Sequence, residues 1–185
     1  MRVDLAAGRI GPTRELTAPP SSMGLTSDER GLVLVYAGAA GKTRADRKPG
    51  RVEVLNADSL ESSAALTLPG PADGVFWNGD RSRLYLEDVG IDDAKPEVAL
   101  AGRLYVVEPA SAALLADLEL GVGPGPLGWD EERGVFYLLT RPRKAKGAEA
   151  SLQVVSGETI EHEIGLPKIP LAVVPNADRT RFFVL

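Results

Sequence analysis

Arg51-Val52-Glu53-Val54 leads through Asn56-Ala57-Asp58-Ser59 into Ala65-Leu66-Thr67-Leu68. The first tetrapeptide alternates polar and apolar residues, the period-two pattern of a half-buried strand. The Asn/Asp/Ser group is turn chemistry, and the apolar run after it is a second short strand. The same order returns three more times. Arg2-Val3-Asp4-Leu5, Arg103-Leu104-Tyr105-Val106 and Ser151-Leu152-Gln153-Val154 align with the first tetrapeptide without gaps, at a period of about 50 residues. Each is followed by a turn-prone patch, of which Glu108-Pro109-Ala110-Ser111 and Ser156-Gly157-Glu158 are two.

The residues upstream recur as well. Leu32, Leu84, Val135 and Phe182 open matching apolar strands, each preceded by a charged turn: Ser27 to Gly31, Asn78 to Arg83, Asp130 to Gly134 and Asn176 to Arg181. Asn, Asp and Gly suit such hairpin tips because they tolerate positive φ or bond their own backbone. A further apolar stretch precedes each turn: Met23-Gly24-Leu25, Val75-Phe76-Trp77, Pro126-Leu127-Gly128-Trp129 and Ala172-Val173-Val174.

The repeating unit is therefore four short antiparallel strands, A to D. Between D and the next A the chain is rich in Pro and Gly, as in Pro69-Gly70-Pro71 and Gly121-Val122-Gly123-Pro124-Gly125-Pro126. Proline belongs where no ladder hydrogen bond is needed, so these segments read as joints between sheets. Four-stranded units of this period are propeller blades. The segment Pro109 to Leu120 has helical propensity taken alone, but its repeat partner Asn56 to Leu68 reads as a hairpin, and the repeat decides for strand. The fold class is all-β: a β-propeller of four blade equivalents, with strand order CD-ABCD-ABCD-ABCD-AB. One domain spans 1–185, with units at about 1–20 plus 171–185, 21–70, 71–121 and 122–170. Either the terminal AB and initial CD join as a mixed blade and close a four-bladed ring, or the chain is half or a fragment of a larger propeller. Closure would hide edges that an open sheet exposes.

The stretch from Leu104-Tyr105-Val106-Val107-Glu108-Pro109 through Gly121-Val122-Gly123-Pro124-Gly125-Pro126 to Val135-Phe136-Tyr137-Leu138-Leu139-Thr140 resembles the YVTN-type β-propeller repeat. That family includes lactonase-like propellers. The resemblance extends over nearly the whole chain and implies the propeller fold; it says little about activity. Tyr85-Leu86-Glu87-Asp88 and Tyr137-Leu138-Leu139-Thr140 stand where the namesake tetrapeptide would be.

Composition sets bounds. A chain of 185 residues can bury a sizeable core. The net charge of −5 disfavours nucleic acid and anionic membrane as partners. There is no cysteine, hence no disulfide or thiol chemistry. No apolar run is long enough to span a membrane, and Met1 to Ile10 carries charge and enters a repeat directly. The expected location is cytoplasmic if the chain is complete, periplasmic or secreted if it is a fragment.

Function is expected on the loops between strands B and C, the longest in each unit, since loops on a rigid scaffold commonly carry it. The first holds Lys42, Arg44, Arg47 and Lys48; the second Glu87, Asp88, Asp92 and Asp93; the third Arg141, Arg143 and Lys144. This is a charge-patterned face for a protein or small ligand, with the blander reading that long loops are charged because they are solvated. Asp88, Asp92 and Asp93 have the donor type of a hard-cation site but lack the Asp-x-Asp-x-Asp-Gly spacing. Gly38-Ala39-Ala40-Gly41-Lys42-Thr43 lacks the first glycine of a phosphate loop, and Pro49-Gly50 leads on to a strand rather than a helix. His162 is the single histidine, which rules out multi-histidine metal sites. Trp77 and Trp129 occupy equivalent A-strand ends and read as packing residues rather than ligand-stacking ones. The sequence favours a non-catalytic scaffold with no cofactor, and a homodimer where the ring does not close on itself. The alternative is a lactonase-like hydrolase holding a divalent cation on the acidic group from Glu87 to Asp93.

Overall fold

A computed structural model describes residues 3–4, 9–91, 99–131, 133–141, 150–168, 173–178 and 181–184. Among them are fifteen β-strands and one 3-10 turn, Arg44–Asp46. The strands are β1 (Val3–Asp4), β2 (Arg9–Ile10), β3 (Ser22–Leu25), β4 (Gly31–Tyr36), β5 (Arg51–Asn56), β6 (Ser62–Thr67), β7 (Gly74–Trp77) and β8 (Leu84–Asp88). They continue with β9 (Ala101–Glu108), β10 (Ala113–Asp130), β11 (Val135–Arg141), β12 (Ala150–Ser156), β13 (Thr159–Leu166), β14 (Val173–Pro175) and β15 (Phe182–Val184). The protein is all-β, with antiparallel ladders. No helix among the described residues is long and apolar enough to cross a membrane.

Strand order is β3-β4-β5-β6 in one sheet and β13-β12-β11-β10-β9-β8-β7 in another. The pairs β1–β2 and β14–β15 are separate two-stranded sheets. The mixed blade expected from the terminal strands is thus not formed among the described residues. The chain divides into two compact units, Met1–Asp88 with Leu104–Asp117, and Val89–Arg103 with Leu118–Leu185.

In the first unit, β3 to β6 form a continuous antiparallel ladder, with Leu25↔Leu32, Val33↔Val54 and Val52↔Leu66 in register. Alternation sends Val33 and Val35 of β4 and Val52 and Val54 of β5 to one face. There they pack with Leu84 and Leu86 of β8 and Tyr105 and Val107 of β9, all essentially buried. Two sheet faces meeting through β-branched and aromatic side chains are a hydrophobic layer, each large side chain contributing about 1.5–3 kcal/mol on burial. Trp77 lies on Gly24 of β3, where an added Cβ would stand 2.7 Å from the indole. It is a packing residue, as its place in the repeat suggests.

The hairpin tips repeat at atomic detail. Thr26 Oγ1 accepts the Gly31 N–H, Asn78 Oδ1 accepts the Arg83 N–H, and in the second unit Asn176 Oδ1 accepts the Arg181 N–H. In each case a short polar side chain closes a turn onto the residue five places on. Glu29 and Arg81 occupy the same left-handed position in the first two, at φ 58°.

In the second unit, β11, β12 and β13 pair with Leu139↔Leu152↔Ile164 and Tyr137↔Val154↔His162 in register. Tyr137, Leu152, Val154, Ala150 and Leu166 form one buried cluster on it. Trp129 packs its ring against Phe136, 4.4 Å between centroids. The Pro109 to Leu120 stretch is strand from Ala113 onward, not helix. The joint expected at Gly121 to Pro126 is instead internal to β10, which runs unbroken for 18 residues. Register shifts between Val122 and Gly125 and between Pro126 and Gly128 absorb the prolines, and Gly123 takes φ 58°. Bulges and a left-handed glycine let the chain change ladder while staying extended.

Candidate functional site

The loop between β4 and β5 is pinched at its root. Ala39 and Lys48 exchange two backbone hydrogen bonds, at 3.0 and 2.9 Å, which close residues 40–47 into a finger. Gly38 makes the entry possible: it sits at φ 78°, and a Cβ there would come within 2.3 Å of the Lys48 carbonyl oxygen. The second unit has the same device after β8. Ile91 and Leu100 exchange two bonds of 2.9 Å, and Gly90, at φ 72°, has the Leu100 carbonyl 2.2 Å from where its Cβ would be. Only glycine meets both demands, positive φ and contact with backbone.

Within the first finger, Thr43 Oγ1 donates to Asp46 Oδ2 at 2.8 Å. Lys42 and Lys48 are exposed. Arg44 lies in the 3-10 turn. Arg47 turns inward: its guanidinium donates to the Ala40 carbonyl at 2.9 Å and pairs with the Asp88 carboxylate. The side chains of Arg47 and Asp88 are 8% and 4% exposed. Tyr105 places its hydroxyl 3.4 Å from the second Asp88 oxygen. Gly70 completes the floor, for a Cβ there would lie 2.6 Å from both Asp88 Oδ2 and the Tyr105 hydroxyl.

Glu87 and Asp88 were expected in a solvated loop. They are instead the last two residues of β8, and both are buried. The Glu87 carbonyl accepts the Asp73 N–H at 2.6 Å, and Glu87 pairs with Gly74 across the β7–β8 ladder. Its side-chain Oε1 finds no hydrogen-bond partner among the described residues. Burial, then the negative charges of Asp73 and Asp88, push this carboxyl up to about 7. Asp88 is engaged by Arg47 and Tyr105, so its carboxylate is not open to a cation. Among the described residues no cluster of three ligating side chains occurs.

Of the other residues singled out in the sequence, Asp92, Asp93, Arg143 and Lys144 lie outside the described residues. Arg141 ends β11 opposite Val122. The structure thus brings together Arg47, Glu87 and Asp88. It adds Gly70, Asp73 and Tyr105, whose role no local pattern announces. The segment Gly38 to Thr43 carries no helix behind it; only the three-residue turn follows. His162 is exposed on β13.

A second buried acid, Glu53 of β5, is paired with Arg14 at 2.7 Å and Arg51 at 3.2 Å. Arg14 also donates to the Leu60 carbonyl at 2.9 Å, so segment 11–18 is fastened over this strand. At the hairpin-tip end of the first unit, Thr26, Asp28, Arg30, Asn56, Ser63 and Ala110 line a cleft of about 170 Å³. Its Thr26, Asp28, Asn56 and Ser63 groups are taken up by turn and strand hydrogen bonds.

No family model and no curated protein sequence matches the chain. Among solved structures it is similar to a Pyrococcus horikoshii acylaminoacyl peptidase, at 11% identity and TM-score 0.50, over 94% of this chain and 28% of that one. It is also similar to an acylaminoacyl peptidase in complex with Z-Gly-Gly-Phe-chloromethyl ketone, at 10% identity and TM-score 0.49, over 89% of this chain and 27% of that one. The chain therefore spans little more than a quarter of these proteins. At such identity the likeness concerns the fold alone.

Proposed function

We propose that the chain is a non-catalytic scaffold of the β-propeller type, with YVTN-like repeats, that binds a protein or small ligand through the loops joining the second and third strands of its units. The fourfold repeat and the antiparallel four-stranded sheet β3 to β6 support the architecture. The observation that carries the binding reading is the shared loop root: Gly38 with Ala39 and Lys48, and Gly90 with Ile91 and Leu100. A hydrogen-bonded neck on a rigid sheet holds a loop in place before any partner arrives, which lowers the ordering cost of binding. The buried Arg47–Asp88 pair adds a second anchor to the first loop and leaves Lys42 and Lys48 facing solvent. The hydrolase alternative is disfavoured by Asp88 being engaged by arginine.

The test is a charge reversal at the exposed lysines. Partners captured with the wild-type chain are purified and titrated calorimetrically against wild type and Lys42→Glu/Lys48→Glu. A loss of roughly tenfold or more in affinity, with unchanged folding, supports the loop face. Equal affinity for the two proteins removes it.

A further inference from the structure

We propose that Glu87 is a proton-operated latch: with its proton it keeps the end of the β7–β8 ladder closed, and without it that end, together with the root of the 37–50 loop, opens more readily. The geometry leaves the ionised form no stable place. Glu87 is 3% exposed, and its Oε1 has no hydrogen-bond partner among the described residues. A buried carboxylate oxygen with no partner carries an uncompensated desolvation cost, which ionisation raises. Its Oε2 lies over the paired strand, 2.9 Å from where a Cβ on Gly74 would be.

The charges around it act in one direction. Asp73, from the segment leading into β7, and Asp88, its neighbour on β8, are both acidic and both raise its proton affinity. The 37–50 loop brings Arg47 and β9 brings Tyr105, but both are directed at Asp88. Ionising Glu87 would place a second buried negative charge next to Asp88 and a third carboxylate beside Asp73. The ladder end is the structure that relieves this. Gly74 pairs with Glu87 there, and the Asp73 N–H bonds the Glu87 carbonyl. The neighbouring Ala72 N–H bonds the Ala37 carbonyl at 2.8 Å, which links the same corner to the start of the loop. The inference is independent of what the loops bind.

The experiment is amide hydrogen exchange on the whole chain, with rates corrected for intrinsic base catalysis, in wild type and Glu87→Gln. Between about pH 6 and about pH 8, wild-type protection at Asp73, Ala72 and Ala39 should fall roughly tenfold, while Glu87→Gln should stay flat. Identical pH profiles in the two proteins, or a flat wild-type profile, would overturn the latch. A carbon-detected NMR titration of the wild-type Glu87 carboxyl decides the matter without any variant. A midpoint near neutrality supports the latch, and a midpoint in the ordinary glutamate range sinks it.

Discussion

Arg47 and Asp88 meet across 41 residues of sequence and form a buried ion pair that fastens a loop to the end of a strand. Arg47 also holds the Ala40 carbonyl, and Asp88 also faces Tyr105. Pairs of this kind are held by mutual satisfaction: removing one partner leaves a buried charge uncompensated.

Replacing Arg47 with Met, or Asp88 with Asn, should therefore cost about 3 kcal/mol of stability, measured by urea unfolding. The double substitution Arg47→Met/Asp88→Leu should cost less than the sum of its two singles, because neither charge is then stranded. Strict additivity would show that the pair is not coupled. Asp88→Asn should also bring the Glu87 carboxyl down, since the Asp88 charge is one cause of its rise.

Gly70 tests the same corner from below. A methyl group there would press on Asp88 Oδ2 and on the Tyr105 hydroxyl, both at 2.6 Å. Asp88 cannot retreat without releasing Arg47. Gly70→Ala should destabilise the chain by about 1–3 kcal/mol, and much less in an Arg47→Met/Asp88→Leu background. An equal cost in both backgrounds would place the strain elsewhere.

Much of this fold is legible in the sequence because its signals are local. Arg51-Val52-Glu53-Val54 alternates as a strand must, and the Asn56, Asn78 and Asn176 turns announce themselves through their own side-chain chemistry. The site was half legible. Arg47, Glu87 and Asp88 drew notice as charges, but in the sequence they read as solvated loop residues. Nothing near Glu87-Asp88 says that an arginine 41 positions earlier will neutralise one acid, or that the other will be buried with its proton affinity raised. Glu53 hides in the same way, since its partner Arg14 lies 39 residues earlier in the chain. The run Gly121 to Pro126 misled for a different reason. Proline and glycine usually break a ladder, yet bulges let β10 continue through them.

The loop roots offer a paired comparison. Gly38→Ala and Gly90→Ala each force a side chain into positive φ and against a backbone carbonyl at 2.3 and 2.2 Å. Each should cost about 2 kcal/mol or more and shift the amide resonances of the flanking bridge, Ala39 with Lys48 or Ile91 with Leu100. Gly125 is a built-in control: nothing lies within 4 Å of the space its Cβ would fill. Gly125→Ala should change stability by less than about 1 kcal/mol. Comparable losses at all three sites would mean that the necks are not what holds these loops.

Stability should depend on pH with a sign opposite to the usual one near neutrality. The Glu87 carboxyl titrates at about 7 in the folded chain and at 4.5 when unfolded. Between those values the folded state holds a proton that the unfolded state has lost. Stability from this group is thus full below pH 4.5, falls as pH rises, and is gone above about 7. The difference integrates to about 3 kcal/mol. Asp28 and Asp80 act the other way at the acid end. Hydrogen bonds from Thr26 and the Arg30 amide, and from the Ser82 amide and side chain, hold both below the usual 3.8. Their contribution is present above pH 3.8 and fades as pH drops through their lowered values. Urea midpoints measured from about pH 3 to about pH 8 should therefore rise, peak in mildly acid solution and decline toward neutrality. Glu87→Gln should abolish the decline and leave the acid limb in place. A decline that survives this substitution would assign it to another buried group.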